Sequence, residues 1–150
     1  MEKHDLQLAK LKLKEKNLSL VIVKQGMVIF ETSRQGINGF LQAIEKQEKN
    51  LIGASAADKI VGVAAATLCV YSGLVSMFAL TISEAGIKVL QDNNIECVFE
   101  RKVSNILNRN KTDICPFEKL AMRSGSPDDA YVKLKSLATQ IIKKESGNNC

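Results

Sequence analysis

The feature that most constrains the fold is a stretch without any charged residue, from Ile60 to Ile82. A membrane-spanning helix needs about 20 apolar residues, so this stretch is long enough to cross a bilayer. Within it, however, Tyr71-Ser72-Gly73 predicts a helix end, because glycine suits the left-handed residue just past a helix. Residues 74–82 then have the composition of a strand. We therefore predict a buried helix over 58–72 and a buried strand over 74–82, in a cytoplasmic protein with no membrane span.

The remaining predicted elements alternate between strands and helices. Leu18–Val23 and Met27–Glu31 are β-rich runs on either side of Lys24-Gln25-Gly26, which is typical of a hairpin. Apolar periodicity and capping residues predict five further helices and one more strand: helices over 3–16, 37–49 and 84–93, helices that begin at Pro116 and Pro127, and a strand over 95–101. Strands joined through helices indicate the α/β class, with a mixed sheet that has helices on both faces.

The length of 150 residues fits one domain with a substantial core. We predict an N-terminal helical extension over residues 1–17, a single α/β domain over 18–145, and a disordered tail over 146–150.

The net charge of +5 raises the question of an acidic partner. The basic residues are not gathered in one place, and acidic residues are interspersed throughout. Four lysines lie near the N-terminus and four near the C-terminus: Lys10, Lys12, Lys14 and Lys16, and Lys133, Lys135, Lys143 and Lys144. A nucleic-acid face would also need aromatic side chains beside the cations, and Tyr71, Tyr131 and the phenylalanines form no such pattern. The charge pattern therefore favours a solvated surface, and a nucleic-acid partner is the weaker alternative.

Histidine is nearly absent, since His4 is the only one in the chain. Ser–His and Cys–His catalytic pairs and multi-histidine metal sites therefore lack their imidazoles. We expect no metal site and no cofactor.

The first candidate segment runs from Gly53 to Ala66 and contains the start of the predicted helix over 58–72. Ser55, with Asp58 three residues later, is typical of a helix N-cap. Free N–H groups at such a helix start would favour an anion, whereas the small residues by themselves indicate only a closely packed core helix. Asp58 and Lys59 are expected at the mouth of this helix, where they would line a pocket.

The second candidate segment runs from Asn108 to Lys119. Cys115 directly precedes Pro116, which begins a helix whose positive end would lower the pKa of the thiol. Glu118 would complete a capping box at the same helix start. Cys115 is then either a reactive thiol or a small, half-buried capping residue, and the absence of a nearby histidine or a second cysteine favours the latter.

Together these segments resemble a known family. The residues that carry the resemblance are Ala57-Asp58-Lys59-Ile60-Val61-Gly62 with Ala64-Ala65-Ala66, and Asn108-Arg109, Thr112 and Cys115-Pro116-Phe117-Glu118. They are similar to domain of unknown function 1893, a family of uncharacterised prokaryotic proteins, over about residues 18–142. The resemblance implies a three-layer, cytidine-deaminase-like fold. The chain departs from the family at Val63, where the family often has lysine, and this weakens the argument for an anion site at the helix start.

The implied fold indicates which residues of this chain occupy the zinc-ligand positions of a zinc deaminase. Zinc deaminases carry H-x-E at the start of the buried helix and P-C-x-x-C at the start of the helix after the next strand. Here we expect these places to read Ala56-Ala57-Asp58-Lys59 and Ile82-Ser83-Glu84-Ala85-Gly86, which offer neither a thiolate nor an imidazole. The resemblance therefore implies a deaminase-like protein without the zinc ligands.

The leading hypothesis is a domain that binds a nucleotide-like small molecule. Its pocket would be lined by polar residues at the C-terminal ends of the strands and in the second segment: Asp58, Lys59, Ser83, Glu84, Asn108, Arg109, Thr112, Cys115 and Glu118. One alternative is an enzyme that uses Cys115 as a nucleophile or a redox thiol. The other is an interaction module that forms a homodimer or associates with RNA.

Overall fold

The computed structural model describes residues 2–144, and the tail predicted to be disordered lies outside them. Six helices and five strands follow one another along the described chain: α1 Glu2–Glu15, β1 Leu20–Lys24, β2 Met27–Thr32, α2 Ile37–Gln47, β3 Ser55–Val61, α3 Val63–Ser72, β4 Ser76–Ser83, α4 Glu84–Asp92, β5 Glu96–Val103, α5 Pro116–Met122 and α6 Pro127–Lys144. A short 3-10 turn, Glu48–Leu51, follows α2.

The strands form one mixed sheet in the order β2-β1-β3-β4-β5. Strand β1 is antiparallel to β2 and β3, whereas β3, β4 and β5 are parallel. The β1–β2 hairpin turns at Gln25 and Gly26, both with positive φ, as the sequence predicts. The buried Asp5 carboxylate of α1 accepts the N–H groups of these two residues at 3.0 and 2.8 Å.

The predicted helix over 58–72 is wrong at its start, because residues 55–61 form strand β3 and the helix begins only at Val63. Ser55 is therefore not a helix cap, and its hydroxyl instead accepts the hydroxyl of Ser76 across β3 and β4 at 2.6 Å. Strand β3 lies in the middle of the sheet. A strand covered on both faces has no polar alternation, so its sequence does not distinguish it from a buried helix.

Helices cover both faces of the sheet, which confirms the predicted three layers. On one face α1 packs Leu6, Ala9 and Leu13 onto a group of strand residues that includes Val21 and Phe78. On the other face α3 lies at the centre of the main core, with α2, α4, α5 and α6 around it.

The uncharged stretch covers the last two residues of β3, all of α3 and most of β4, and α3 and β4 are largely buried. Helix α3 ends at Gly73, whose φ of 77° and N–H bonds to Cys69 and Val70 confirm the predicted helix end. Over residues 2–144, no helix combines the length and the apolar character that crossing a membrane requires.

Candidate functional site

The site lies where the parallel strands end and the next helices begin. Helix α3 starts directly after β3, and α4 starts directly after β4. The two helix starts touch, since a Cβ on Gly86 would lie 3.2 Å from the carbonyl carbon and oxygen of Gly62. In open α/β sheets, ligands bind at this end of the strands.

Glu118 occupies the start of α3, although it belongs to α5. Its Oε1 accepts the N–H of Val63 and its Oε2 accepts the N–H of Ala64, both at 2.7 Å. The side chain is only 3% exposed. Burial raises the pKa of Glu118, while the hydrogen bonds from Ala64 and Val63 act in the opposite direction. The chain itself thus supplies a carboxyl group at this helix start, where it accepts N–H groups that lack partners within the helix.

This contact also corrects the predicted capping box at Cys115. Cys115 is the N-cap residue of α5, but its side chain makes no capping hydrogen bond. The Glu118 carboxylate caps α3 instead of its own helix. Gly62 leaves the necessary space, because a Cβ at that position would lie 2.0 Å from Glu118 Oε1.

The sequence predicts Asp58 and Lys59 at the mouth of a helix, and this prediction is wrong. Both residues lie on strand β3. Both side chains are half-buried. Asp58 Oδ1 accepts the N–H of Ile60 at 3.3 Å. Burial raises the pKa of Asp58 to about 7, although the backbone N–H groups of Ile60 and Lys59 oppose the shift. Asp58 therefore titrates near neutral pH, unlike an ordinary carboxylic acid.

A cavity of about 180 Å³ brings four of the predicted site residues together: Asp58, Lys59, Cys115 and Glu118. The rest of its wall is largely apolar, with smaller contributions from polar groups: Ser19, Gln35, Gly36, Ile37, Ile60, Gly62, Ala64, Ala65, Ile106 and Phe117. Three ionisable residues, Asp58, Lys59 and Glu118, are thus part of the lining of a mainly apolar cavity.

The other five predicted residues do not line this cavity. The Ser83 hydroxyl accepts the N–H of Gly86 at 3.0 Å and so caps α4, while Glu84 is exposed in the first turn of that helix. Asn108 and Thr112 bond to each other within their own loop, with the Thr112 N–H at 3.0 Å from Asn108 Oδ1. Arg109 is exposed on the same loop. Local hydrogen bonding therefore holds Ser83, Asn108 and Thr112 outside the cavity.

Cys115 lies fully buried in the cavity wall. It is disulfide-bonded in this structure, whereas Cys69 and Cys97 are free. A cysteine nucleophile must present an accessible thiolate. In this form Cys115 shapes the wall and presents no thiolate to a ligand.

The residues at the two helix starts do not fit a catalytic zinc. Because α3 begins at Val63, the first ligand position falls near Gly62-Val63-Ala64 and not at residues 56–59, where the sequence had placed it. These side chains have no ligating atom, and Ser83-Glu84-Ala85-Gly86 at the start of α4 offers neither thiolate nor imidazole. Within residues 2–144, no group of three or more His, Cys, Asp or Glu side chains is placed to hold a metal.

Sequence reasoning missed two features of the site. It did not identify the apolar wall, to which Ile37, Ile106 and Phe117 contribute from three separate parts of the chain. It also missed the role of Gly62, which accommodates the Glu118 carboxylate. A glycine directly after a β-rich run was the only available signal, and nothing local connects that glycine to a glutamate in another helix.

The structure is similar to that of a DUF1893 family protein (TM1506) from Thermotoga maritima, with 27% identity, a TM-score of 0.81 and 91% of each chain covered. It is also similar to RibD from Acinetobacter baumannii, with 17% identity and a TM-score of 0.50 over 65% of this chain and 35% of RibD. A dCMP deaminase from the cyanophage S-TIM5 is 14% identical, with a TM-score of 0.45 over 68% of this chain and 96% of that one. No curated protein matches the sequence.

The order and direction of the strands, together with the likeness to RibD, establish the predicted cytidine-deaminase-like fold. The family described as a domain of unknown function (DUF1893) matches residues 8–137, which include most of α1 and nearly all of the sheet and helices that form the cavity. The resemblance inferred from the two candidate segments is thereby confirmed, and the chain belongs to the DUF1893 family.

Proposed function

We propose that this protein binds a nucleotide-like small molecule and holds its heterocyclic ring in the cavity beside Asp58. The observation that carries the proposal is the mainly apolar cavity at the strand ends, which Asp58, Lys59 and Glu118 help to line. A concave apolar site with a few convergent polar groups is the usual form of a small-molecule site.

The size of the cavity favours a ring over a whole nucleotide. Pockets for drug-sized ligands measure about 300–1,000 Å³, whereas this cavity measures about 180 Å³. A single planar heterocycle would fit between Ile37, Ile106 and Phe117. The sugar and any phosphate would then extend outward through the open side of the site.

Asp58 is the group best suited to recognise the ring. An ionised carboxylate can accept two N–H groups at once, and a protonated carboxyl can donate to a ring nitrogen. Because burial brings the pKa of Asp58 to about 7, both forms are populated near neutral pH. This supports a ligand with adjacent ring and exocyclic nitrogens. The carboxylate of Glu118 is already bonded to Val63 and Ala64, so we assign it to the wall.

Lys59 would interact with the part of the ligand outside the ring. It is half-buried and is among the residues that line the cavity. An ammonium group is a compact charge that binds phosphate well. We therefore assign Lys59 to the sugar or phosphate.

The proposed activity does not include activation of water by zinc. The helix starts that would present zinc ligands read Gly62-Val63-Ala64 and Ser83-Glu84-Ala85-Gly86. The Glu118 carboxylate bonds the N–H groups at the first of them. The residues therefore support binding and offer no zinc-based hydrolytic step.

Calorimetric titration of the full chain with free bases, nucleosides and nucleoside monophosphates tests the proposal. We expect saturable binding of at least one amino-substituted heterocycle, and about tenfold or greater loss of affinity in Asp58→Asn, because a charge-assisted hydrogen bond is lost. Lys59→Met should weaken binding of the monophosphate more than that of the nucleoside. Asp92→Asn, an exposed aspartate on α4, is the control. Binding that is equal in Asp58→Asn and the wild type, or no binding by any of the three classes, would contradict the proposal.

A further inference from the structure

Strand β5 forms an open edge of the sheet. Among the residues that the structure describes, β5 pairs only with β4, and its other edge carries no strand. Most of its side chains are exposed, and Val98 and Phe99 are each 40% exposed although they are apolar. An edge strand presents a row of unpaired N–H and C=O groups to which another strand can add.

The backbone direction along β5 shows which residues can form those bonds. The N–H of Glu96 donates to the Val75 carbonyl at 3.1 Å, so Glu96 points toward β4. Because backbone groups alternate in direction along a strand, Cys97, Phe99 and Arg101 point their N–H and C=O groups to the open edge. A second strand must therefore pair through these odd-numbered residues.

An antiparallel pairing of two β5 strands about a twofold axis at Phe99 satisfies this requirement. The two Phe99 residues would exchange both backbone hydrogen bonds, and each Cys97 would do the same with the Arg101 of the other copy. Glu96 would lie opposite Lys102 of the other copy, twice across the axis. Such directly opposed pairs of opposite charge stabilise a sheet.

Neighbouring registers are less favourable because they oppose like charges. A twofold axis at Glu100 would place the two Glu100 side chains together, and an axis at Arg101 would do the same with the two arginines. An axis at Val98 would place Glu96 opposite Glu100. Like charges that lie directly opposite each other destabilise a pair of strands. Among these registers, only the one centred on Phe99 brings opposite charges together without opposing like charges.

The apolar side chains of β5 support the same register. Val98 lies beside Phe78, on the face that α1 covers, so Phe99 lies on the opposite face of the sheet. At the Phe99 axis, the two exposed phenylalanine rings would be neighbours on that opposite face and would cover each other. Cross-strand aromatic pairs stabilise antiparallel strands.

We propose that two copies of this chain associate through β5, antiparallel and centred on Phe99, so that the sheet continues from one copy into the other. The association is symmetric, since the same strand serves both copies. It does not depend on ligand binding, because β5 contributes no residue to the lining of the cavity.

Charge-reversal variants of β5 test the proposed dimer. The measurement is sedimentation velocity of the full chain over a range of concentrations. We expect the wild type to form dimers, and Glu96→Lys and Lys102→Glu each to weaken the dimer by about tenfold or more, because two attractive cross-strand pairs become repulsive. Glu15→Lys, an exposed reversal at the end of α1, should leave the dimer unchanged.

Mixing the two variants provides the matched rescue. The first variant carries lysine at both positions and the second carries glutamate at both, so a mixed dimer again places each lysine opposite a glutamate. We expect the mixture to dimerise about as well as the wild type. A general loss of stability in either variant would not be repaired by mixing.

A cross-link at the axis reports on the register. In a Cys97→Ser background, Phe99→Cys should form covalent dimers rapidly with a short bismaleimide, because the two Cα atoms of such a pair lie about 5.5 Å apart. The control Arg123→Cys, at an exposed position at the end of α5, should form no covalent dimers. A wild type that is monomeric at all concentrations, or a dimer insensitive to both reversals, would overturn the proposal.

Discussion

At the scale of single residues, the site depends on the Glu118 side chain, which caps the start of α3 although Glu118 itself belongs to α5. Glu118 closes the start of α3 with two hydrogen bonds of 2.7 Å, and Gly62 leaves room for it. The chain thereby satisfies a helix end that would otherwise need water or a ligand. The same carboxylate is part of the cavity wall, so the stability of α3 and the shape of the site are linked.

We expect Gly62→Ala to lower the free energy of unfolding by about 1–3 kcal/mol, because the new methyl group would overlap the Glu118 carboxylate. Gly125→Ala is the matched control, since a Cβ there would meet no atom within 4 Å. Urea unfolding followed by circular dichroism measures both. In Gly62→Ala combined with Glu118→Ala the overlap is gone, so the double variant should be less destabilised than the sum of the two single variants. Strict additivity would contradict the proposed contact.

Asp58 should make stability depend on pH. Its pKa is about 7 in the folded protein and near 3.8 when unfolded, so the folded state holds the extra proton between these values. The contribution of Asp58 is therefore fully present below about pH 4 and is lost as pH rises through 7. We expect Asp58→Asn to gain stability relative to the wild type as pH rises from 4 to 7, with no further change above 8. Chemical unfolding of both proteins across this range is the measurement, and a difference that does not vary with pH would contradict the assignment.

At the scale of elements, helix α1 covers one face of the sheet. Its inner side packs onto the sheet, and Asp5 bonds the turn of the β1–β2 hairpin. The family match beginning at residue 8 also includes most of this helix. Its leucine and lysine pattern predicted a helix correctly but gave no information about the surface on which the helix lies.

Two leucines of α1 provide a matched comparison. Leu13 is 1% exposed against the sheet, whereas Leu11 is 57% exposed. We expect Leu13→Ala to lower the free energy of unfolding by about 2–5 kcal/mol, because it leaves a cavity in the core. Leu11→Ala should change it by less than about 0.5 kcal/mol, as is usual for surface substitutions. Equal effects in urea unfolding would show that α1 is not held against the sheet in solution.

At the scale of the whole molecule, the parallel strands β3, β4 and β5 bring the starts of α3 and α4 together. Related folds place zinc ligands at these two helix starts. Here the two helix starts also lie side by side, but their residues, Gly62-Val63-Ala64 and Ser83-Glu84-Ala85-Gly86, offer neither a thiolate nor an imidazole.

We expect the protein purified from zinc-supplemented cells to carry no stoichiometric zinc after dialysis, as measured by elemental mass spectrometry. A chelator should leave its melting temperature unchanged, because no metal would be linked to folding. One zinc per chain that survives dialysis, or a melting temperature lowered by chelation, would contradict this expectation.

The sequence by itself determined those features that depend on neighbouring residues. The hairpin at Gln25 and Gly26 and the helix end at Gly73 could be predicted, because the backbone conformation of turns and helix ends depends on the residues at that place. The resemblance of the two candidate segments to the DUF1893 family also predicted the cytidine-deaminase-like fold.

Only the tertiary structure decided the rest. Residues 55–61 became a strand because β1 and β4 lie on either side of them, and small apolar residues allow either conformation. Glu118 reached α3, and Ser83, Asn108 and Thr112 turned away from the cavity, because each side chain took the hydrogen-bond partner that folding brought within reach. The uncharged stretch from Ile60 to Ile82 limited the possible folds from the start, because a layered domain can bury such a stretch without a membrane.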